Sequence, residues 1–246
     1  MRAPGLTRGV HFEQSTFSAP EERCRRFSAR LLHHVGAPSP GRVLDIGCGT
    51  GSQLLHLASA LPEASLTGVD ISAPAIELAQ QRAEAAGLSS RCSFAACDYL
   101  TFTVAPQDLI VAYSTLQLIR CDSKRLFTKI RNDLAPGGLL INVMPYDCPY
   151  NRLLMRVRAM LAASRTGLTD ELLLRIGTLL HRRSLGPEAL RERVAYMYQP
   201  LQRLDGPALR KQMAEVCGLD FVACEPERHA SVAQPKHRLI VSRRRD

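Results

Sequence analysis

The run Val43-Leu44-Asp45-Ile46-Gly47-Cys48-Gly49-Thr50-Gly51 passes from a short apolar, partly β-branched segment into three alternating glycines and then directly into a helical pattern over 52–61. Glycines at that spacing let the backbone turn sharply and approach a bound molecule with no Cβ in the way. The helix behind them offers unpaired N–H groups at its start, which favour an anionic or polar ligand group. The reading is a buried strand, a ligand-binding turn and a helix.

Working outward, apolar runs at Leu66–Val69, Cys92–Ala96, Leu109–Ala112 and Leu139–Met144 read as further strands, separated by helical patterns over 74–86 and 122–134. Strands apolar on both faces, alternating with helices, predict an α/β fold built on a doubly wound, mostly parallel sheet. The last runs, Leu219–Cys224 and His237–Ser242, flank a polar loop and predict an antiparallel edge, giving seven strands in all. Pro20-Glu21-Glu22 opens a lead-in helix carrying Phe27, Leu31, Leu32 and Val35. From Pro145 to Glu215 the alternation stops. There Leu153, Leu154, Val157 and Leu161, then Leu172, Leu173, Ile176 and Leu180, recur at helical spacing, with Thr169 as the expected N-cap of the second helix. A final helix is expected from Pro207 to Gly218. With 246 residues, 46% hydrophobic and 22% charged, the chain suits one hydrophobic core and excludes disordered, collagenous and coiled-coil classes. It divides into a lead-in (1–40), a ligand-binding core (41–144), a helical lid insertion (145–215), and closing strands with a basic tail (216–246).

The second strand ends in Asp70, 19 residues after Gly51, close to the spacing at which an acid receives the hydroxyls of a ribose. A carboxylate suits that task because it accepts from two neighbouring hydroxyls through charge-assisted bonds. The third strand ends in Ala96-Cys97-Asp98-Tyr99, where Asp98 is placed to accept from an exocyclic adenine amine. All these groups fall at the carboxyl ends of parallel strands, where such sheets bind ligands.

In this arrangement Asp45-Ile46-Gly47-Cys48-Gly49-Thr50-Gly51 resembles the first motif of the class I S-adenosylmethionine-dependent methyltransferases. Asp70, Asp98, Gln107-Asp108-Leu109-Ile110-Val111 and Leu134-Ala135-Pro136-Gly137-Gly138-Leu139 resemble the motifs that follow, in order. The resemblance implies a Rossmann-like fold and S-adenosyl-L-methionine as cofactor. It implies that Gly47, Cys48, Gly49 and Gly51 lie along the methionine part and that Asp45 fixes the loop and the cofactor amine. Asp70 would hold the ribose, Asp98 and the Tyr99 N–H the adenine, Ile71 would pack on the adenine face, and Tyr113 would border the cofactor. Ser114-Thr115-Leu116-Gln117 and Met144-Pro145-Tyr146 further resemble the trans-aconitate methyltransferase group, although Leu118 stands where that group has a Trp.

Ser114, Gln117, Tyr146 and Asp147 follow the fourth and fifth strands and are the expected acceptor contacts. The net charge is +9, and residues 151–215 hold 12 Lys and Arg against 6 Asp and Glu. A basic lid favours a small anionic, carboxylate-bearing acceptor, because an arginine grips a carboxylate at two points. A carboxylate is already ionised at neutral pH and needs no general base, so no catalytic residue is assigned. Other readings of the same features are methylation of an acyl group on acyl carrier protein, an RNA-binding or RNA-methylating protein, and a non-catalytic cofactor-binding regulator. With 5% aromatic residues and no stacking motif, nucleic acid is the weaker partner. The eight cysteines show no C-x-x-C pair, so no metal is expected and the thiols read as reduced. No apolar run approaches the roughly 18 residues that span a bilayer, and no apolar segment follows Arg2 and Arg8, so a cytoplasmic location is expected.

Overall fold

A computed structural model describes residues 15–16, 18–37, 39–181, 194, 197–227 and 234–246. Arg182, Arg183, Arg191 and Arg193 of the basic lid lie outside them. The described strands are β1 (Arg42–Ile46), β2 (Ser65–Asp70), β3 (Cys92–Ala96), β4 (Gln107–Tyr113), β5 (Leu134–Pro145), β6 (Leu219–Pro226) and β7 (His237–Arg244). They form one seven-stranded sheet in the order β3-β2-β1-β4-β5-β7-β6. The first five run parallel, while β7 pairs antiparallel with both β5 and β6.

The described helices are α1 (Glu21–Val35), α2 (Ser52–Ala60), α3 (Ala73–Ala85), α4 (Ser123–Asp133), α5 (Pro149–Ala163), α6 (Gly167–His181) and α7 (Pro207–Cys217). Side-chain caps fix where several begin. Ser72 Oγ accepts from the Ala75 N–H at 3.3 Å to start α3, and an Asp122 carboxylate oxygen accepts from Arg125 N–H at 2.8 Å to start α4. Helix α6 departs from expectation. Thr166, not Thr169, precedes it, and the two exchange bonds: Thr166 N–H to Thr169 Oγ1 at 2.9 Å and Thr169 N–H to Thr166 Oγ1 at 3.2 Å. This reciprocal box satisfies two N–H groups with two hydroxyls and moves the start three residues upstream.

Two apolar cores result, one on each face of the sheet. Phe27 and Leu31 of α1 and Leu54 and Leu57 of α2 cover Val43, Leu66, Val111 and Ile141. On the other face, Leu126, Phe127 and Ile130 of α4 and Met213 and Cys217 of α7 cover Leu44, Ile110 and Leu140. The chain winds outward from β1 to β3 and then crosses back to β4, so the order reverses between β1 and β4. In open α/β sheets such a reversal is where a ligand site is expected, at the carboxyl ends of the two strands.

The segment after β5 leaves the end of that strand and returns to the same point. Asp205 N–H donates to Pro145 O at 2.8 Å and Asp147 N–H to Asp205 O at 2.7 Å. Arg210 grips the Asp205 carboxylate through two bonds, at 2.7 and 2.5 Å. Fully buried Asn151 fixes the first turn of α5: its amide donates to Tyr146 O and Lys236 O, and its oxygen accepts from Lys236 N–H. Of the apolar residues at helical spacing, Leu153, Leu154, Val157 and Leu161, only Leu154 is buried, beside Asn151 and Arg158, while Leu153, Val157 and Met160 are exposed. The hydrogen bonds of Asn151 set the rotation of the helix and override its apolar stripe. Asn151→Ala should therefore cost about 1 to 3 kcal/mol through the buried backbone groups it strands. Denaturant melts should show that loss, and limited proteolysis should show faster cleavage within 149–181.

Candidate active site

The glycine turn is held in place by an acid. Asp70 sits at the end of β2, and its two carboxylate oxygens accept from Gly49 N–H at 2.8 Å and Ser72 N–H at 2.9 Å. Val69 O accepts from Gly47 N–H at 2.7 Å, and Gly51 N–H donates to Cys48 O at 3.0 Å. From outside, Arg82 of α3 holds Thr50 Oγ1 at 2.7 Å and Ser52 Oγ at 3.1 Å. Gly47 and Gly51 have φ of 74° and 75°, a region costly for residues with a Cβ. A Cβ on Gly47 would collide with the Thr115 side chain, and one on Gly51 would lie 2.9 Å from Ala79 and 3.1 Å from Phe94. Both glycines are therefore demanded by packing within the protein as well as by the turn. The Gly47–Thr115 approach also brings the loop after β1 against the loop after β4.

Asp45, near the end of β1, is only 2% exposed, and its carboxylate accepts no hydrogen bond from any described group. Burial, reinforced by the Asp70 charge, pushes it up to about 7. The other titratable groups that feel it are the thiols of Cys48 and Cys24, both pushed up by burial. A buried carboxylate with no partner calls for a cation or a hydrogen-bond donor from outside the chain.

The remaining predicted residues divide among several settings. Ile71 is 45% exposed beside Asp70, with its face free. Asp98 is exposed, with one oxygen accepting from Leu100 N–H at 2.9 Å. The Tyr99 side chain turns away into the α4 core, where its hydroxyl donates to Asp133 at 2.7 Å and Lys129 lies over its ring. Tyr113 lies against Phe27 edge-on, with the Arg23 guanidinium 4.5 Å from its ring centre, and its hydroxyl donates to Glu227 at 3.3 Å. Burial and Glu227 push that phenol up to about 12, so it is no base near neutrality. Ser114 is the non-glycine residue with positive φ, at 56°. Its carbonyl accepts from the Gln117 amide at 2.9 Å, while Gln117 Oε1 is buried without a partner. Arg238 lies over the ring of Tyr146, and Asp147 is committed to Arg152 at 2.5 and 2.7 Å.

Sequence reasoning did not single out Thr115, Arg82, Arg203 or Arg158. Arg203 comes from the irregular segment before α7 and donates to the carbonyls of Leu116, Ile119 and Cys121, which stiffens the loop after β4. Among the described residues, no group of three or more His, Cys, Asp or Glu is arranged to hold a metal ion. None of the described helices is long and apolar enough to cross a membrane.

Residues 43–138 match the family model described as a methyltransferase domain. That match covers less than half of the chain. Over 156 residues, 62% of this chain and 57% of the relative, it is 36% identical to trans-aconitate 2-methyltransferase of Streptomyces avermitilis. The chain thus spans little more than half the length of that curated relative. The fold extends beyond the methyltransferase domain model. The N-methyltransferase NodS of Bradyrhizobium japonicum, solved with S-adenosyl-l-homocysteine, superposes with a TM-score of 0.57 at 20% identity, over 93% of this chain and 90% of that one. Magnesium protoporphyrin IX methyltransferase of Synechocystis, solved with bound SAH, gives 0.56 at 17% identity, over 91% and 83%.

An acid held above its usual range binds its proton more firmly in the folded chain than in the unfolded one. Folding stability therefore falls as pH rises from the ordinary carboxylate range to about 7 and levels off beyond it. Asp45→Asn should remove that slope and leave the free protein at least as stable as wild type at pH 8. Thermal melts between pH 5 and 8 test this, and an unchanged slope in the variant would remove Asp45 as its source.

Proposed function

We propose that this protein is an S-adenosylmethionine-dependent methyltransferase that methylates a small, carboxylate-bearing metabolite. The unpartnered, buried Asp45 carboxylate beneath a glycine loop at the β1–β4 reversal carries the reading, because it fits the ammonium end of that cofactor. When bound, S-adenosylmethionine supplies a methyl group on a positively charged sulfur, so that an oxygen lone pair takes the methyl while the sulfur keeps the bonding pair. Gly47, Cys48, Gly49 and Gly51 would lie along the methionine part. The free lone pairs of Asp70 would take the ribose hydroxyls, and Ile71 and Asp98 would border the adenine. The chain's work is alignment and exclusion of water, which can lower such a barrier by about 7 to 11 kcal/mol. An ionised carboxylate acceptor requires no proton transfer, in keeping with a Tyr113 phenol pushed above its usual range and an Asp147 committed to Arg152.

Support for an anionic acceptor comes from the basic lid and from the likeness to trans-aconitate 2-methyltransferase. One observation favours a second acceptor, an acyl group on acidic acyl carrier protein: Leu153, Val157 and Met160 are exposed on α5 beside exposed Arg152 and Arg156. Incubation with methyl-labelled cofactor and trans-aconitate, a small-acid fraction or acyl carrier protein separates the two. Label in small acids is expected; label only in the carrier protein would overturn the small-molecule reading. The Asp45 assignment has its own check. Calorimetric affinity for S-adenosylhomocysteine should weaken by up to about tenfold per unit as pH drops below 7, since the ligand ammonium needs the ionised carboxylate. Asp45→Asn should flatten that profile, and a flat wild-type profile between pH 6 and 8 would take Asp45 out of the site.

A further inference from the structure

Arg158 is unlike every other arginine described in the lid. It is 6% exposed, it forms no hydrogen bond or ion pair with any described residue, and its Nε is buried without an acceptor. Arg152, Arg165 and Arg210 by contrast are each bonded to a carboxylate, those of Asp147, Asp170 and Asp205. Burial pushes the Arg158 guanidinium down to about 10, with the Tyr150 hydroxyl on the same helix partly opposing this. A cation left in this state destabilises the free protein unless something else neutralises it.

Its position says what that something is. Arg158 lies on the same face of α5 as Asn151, seven residues and roughly 10 Å further along the helix. Asn151 fixes that face against the carbonyls of Tyr146 and Lys236 at the carboxyl end of β5. The same end of the sheet holds two more buried polar side chains with open valences: Asn142 on β5, both of whose amide atoms lack partners, and Gln117 in the loop after β4. The segment that carries Arg203 is tied to this loop, with Gln202 N–H donating to Gln117 O at 2.8 Å.

Resting on the methyltransferase reading above, we infer that Arg158 is the specificity-determining residue of the acceptor site and grips a carboxylate of the acceptor that is not the one methylated. The second clause follows from chemistry. A carboxylate held two-pronged by a guanidinium has its outward lone pairs engaged and is a poor nucleophile, whereas a second carboxylate on the same molecule stays free to take the methyl. The acceptor class is therefore a small acid with at least two carboxylates.

The test uses full-length wild type, Arg158→Met and Arg158→Lys, with trans-aconitate, fumarate and crotonate as acceptors and S-adenosylhomocysteine as the cofactor-site probe. Wild type should prefer the acids with two or more carboxylates over crotonate. Arg158→Met should lower kcat/KM for trans-aconitate and fumarate by about 10- to 100-fold, mainly through KM, the range for a lost charged hydrogen bond. It should leave crotonate and S-adenosylhomocysteine affinity within about twofold and should melt no lower than wild type, since it loses an unpaired buried cation. Arg158→Lys should fall between the two, keeping the charge but not the fork. An Arg158→Met chain that melts markedly lower, fails to fold or loses S-adenosylhomocysteine overturns the inference in favour of a structural arginine. A preference for diacids that survives the substitution also overturns it. Wild type that binds S-adenosylhomocysteine yet labels none of these acids overturns it while leaving the methyltransferase reading standing. Failure to bind S-adenosylhomocysteine brings down both.

Discussion

The Asp70 carboxylate is the fastening on which the site depends. By accepting from Gly49 and Ser72 N–H at once, it ties the glycine turn of β1 to the start of α3 across two strands. That commitment leaves Asp45, behind the same turn, with no donor of its own. The turn's N–H groups are spent elsewhere: Gly47 and Cys48 donate to Val69 O, Gly49 to Asp70 and Gly51 to Cys48 O. One acid thus builds the turn and the other is left charged only at a cost, which an external cation can remove.

From that fastening the rest of the crevice follows by contact. The turn presents Gly47 so closely to Thr115 that the loop after β4 is positioned by the loop after β1. Arg203 then stiffens the β4 loop from the lid side, and Asp205 locks the lid's base to Pro145. Geometry passes from the glycine turn to the loop after β4 and on to the segment after β5 through backbone bonds and the buried Arg203 guanidinium.

What was legible in the sequence is what repeats. Apolar runs such as Leu109–Ala112 announce strands buried on both faces, and Gly47, Gly49 and Gly51 announce a turn that needs positive φ. The antiparallel edge belongs to the same pattern. What the sequence hid depends on single hydrogen bonds. Nothing in the apolar spacing of α5 reveals that Asn151 rotates the helix so that Leu153 and Val157 face outward and Arg158 inward. The one available signal was the spacing of Asn151, Leu154 and Arg158 at i, i+3 and i+7, a helical face that looks polar and was outweighed by the leucines. Thr166 was masked by Thr169 in the same way, since either threonine could cap until the reciprocal bonds are seen. The burial of the Tyr99 ring against α4, with its hydroxyl on Asp133, leaves the expectation for its backbone N–H untouched.

Asp45 and Arg158 are opposite charges, both buried, both without a partner, and placed on different layers of the molecule. If they lay together they would neutralise each other and leave nothing to bind. Kept apart, one on the sheet and one on the lid, each favours a ligand group of the other sign and repels its own. A carboxylate acid is disfavoured over the Asp45 floor, and an ammonium or sulfonium is disfavoured beneath Arg158. The pair therefore sets the order in which two oppositely charged ligands stack across the crevice, before any contact specific to either ligand is made. Both groups tax the stability of the free protein, and each cost would be recovered when a ligand group of the opposite sign neutralises it.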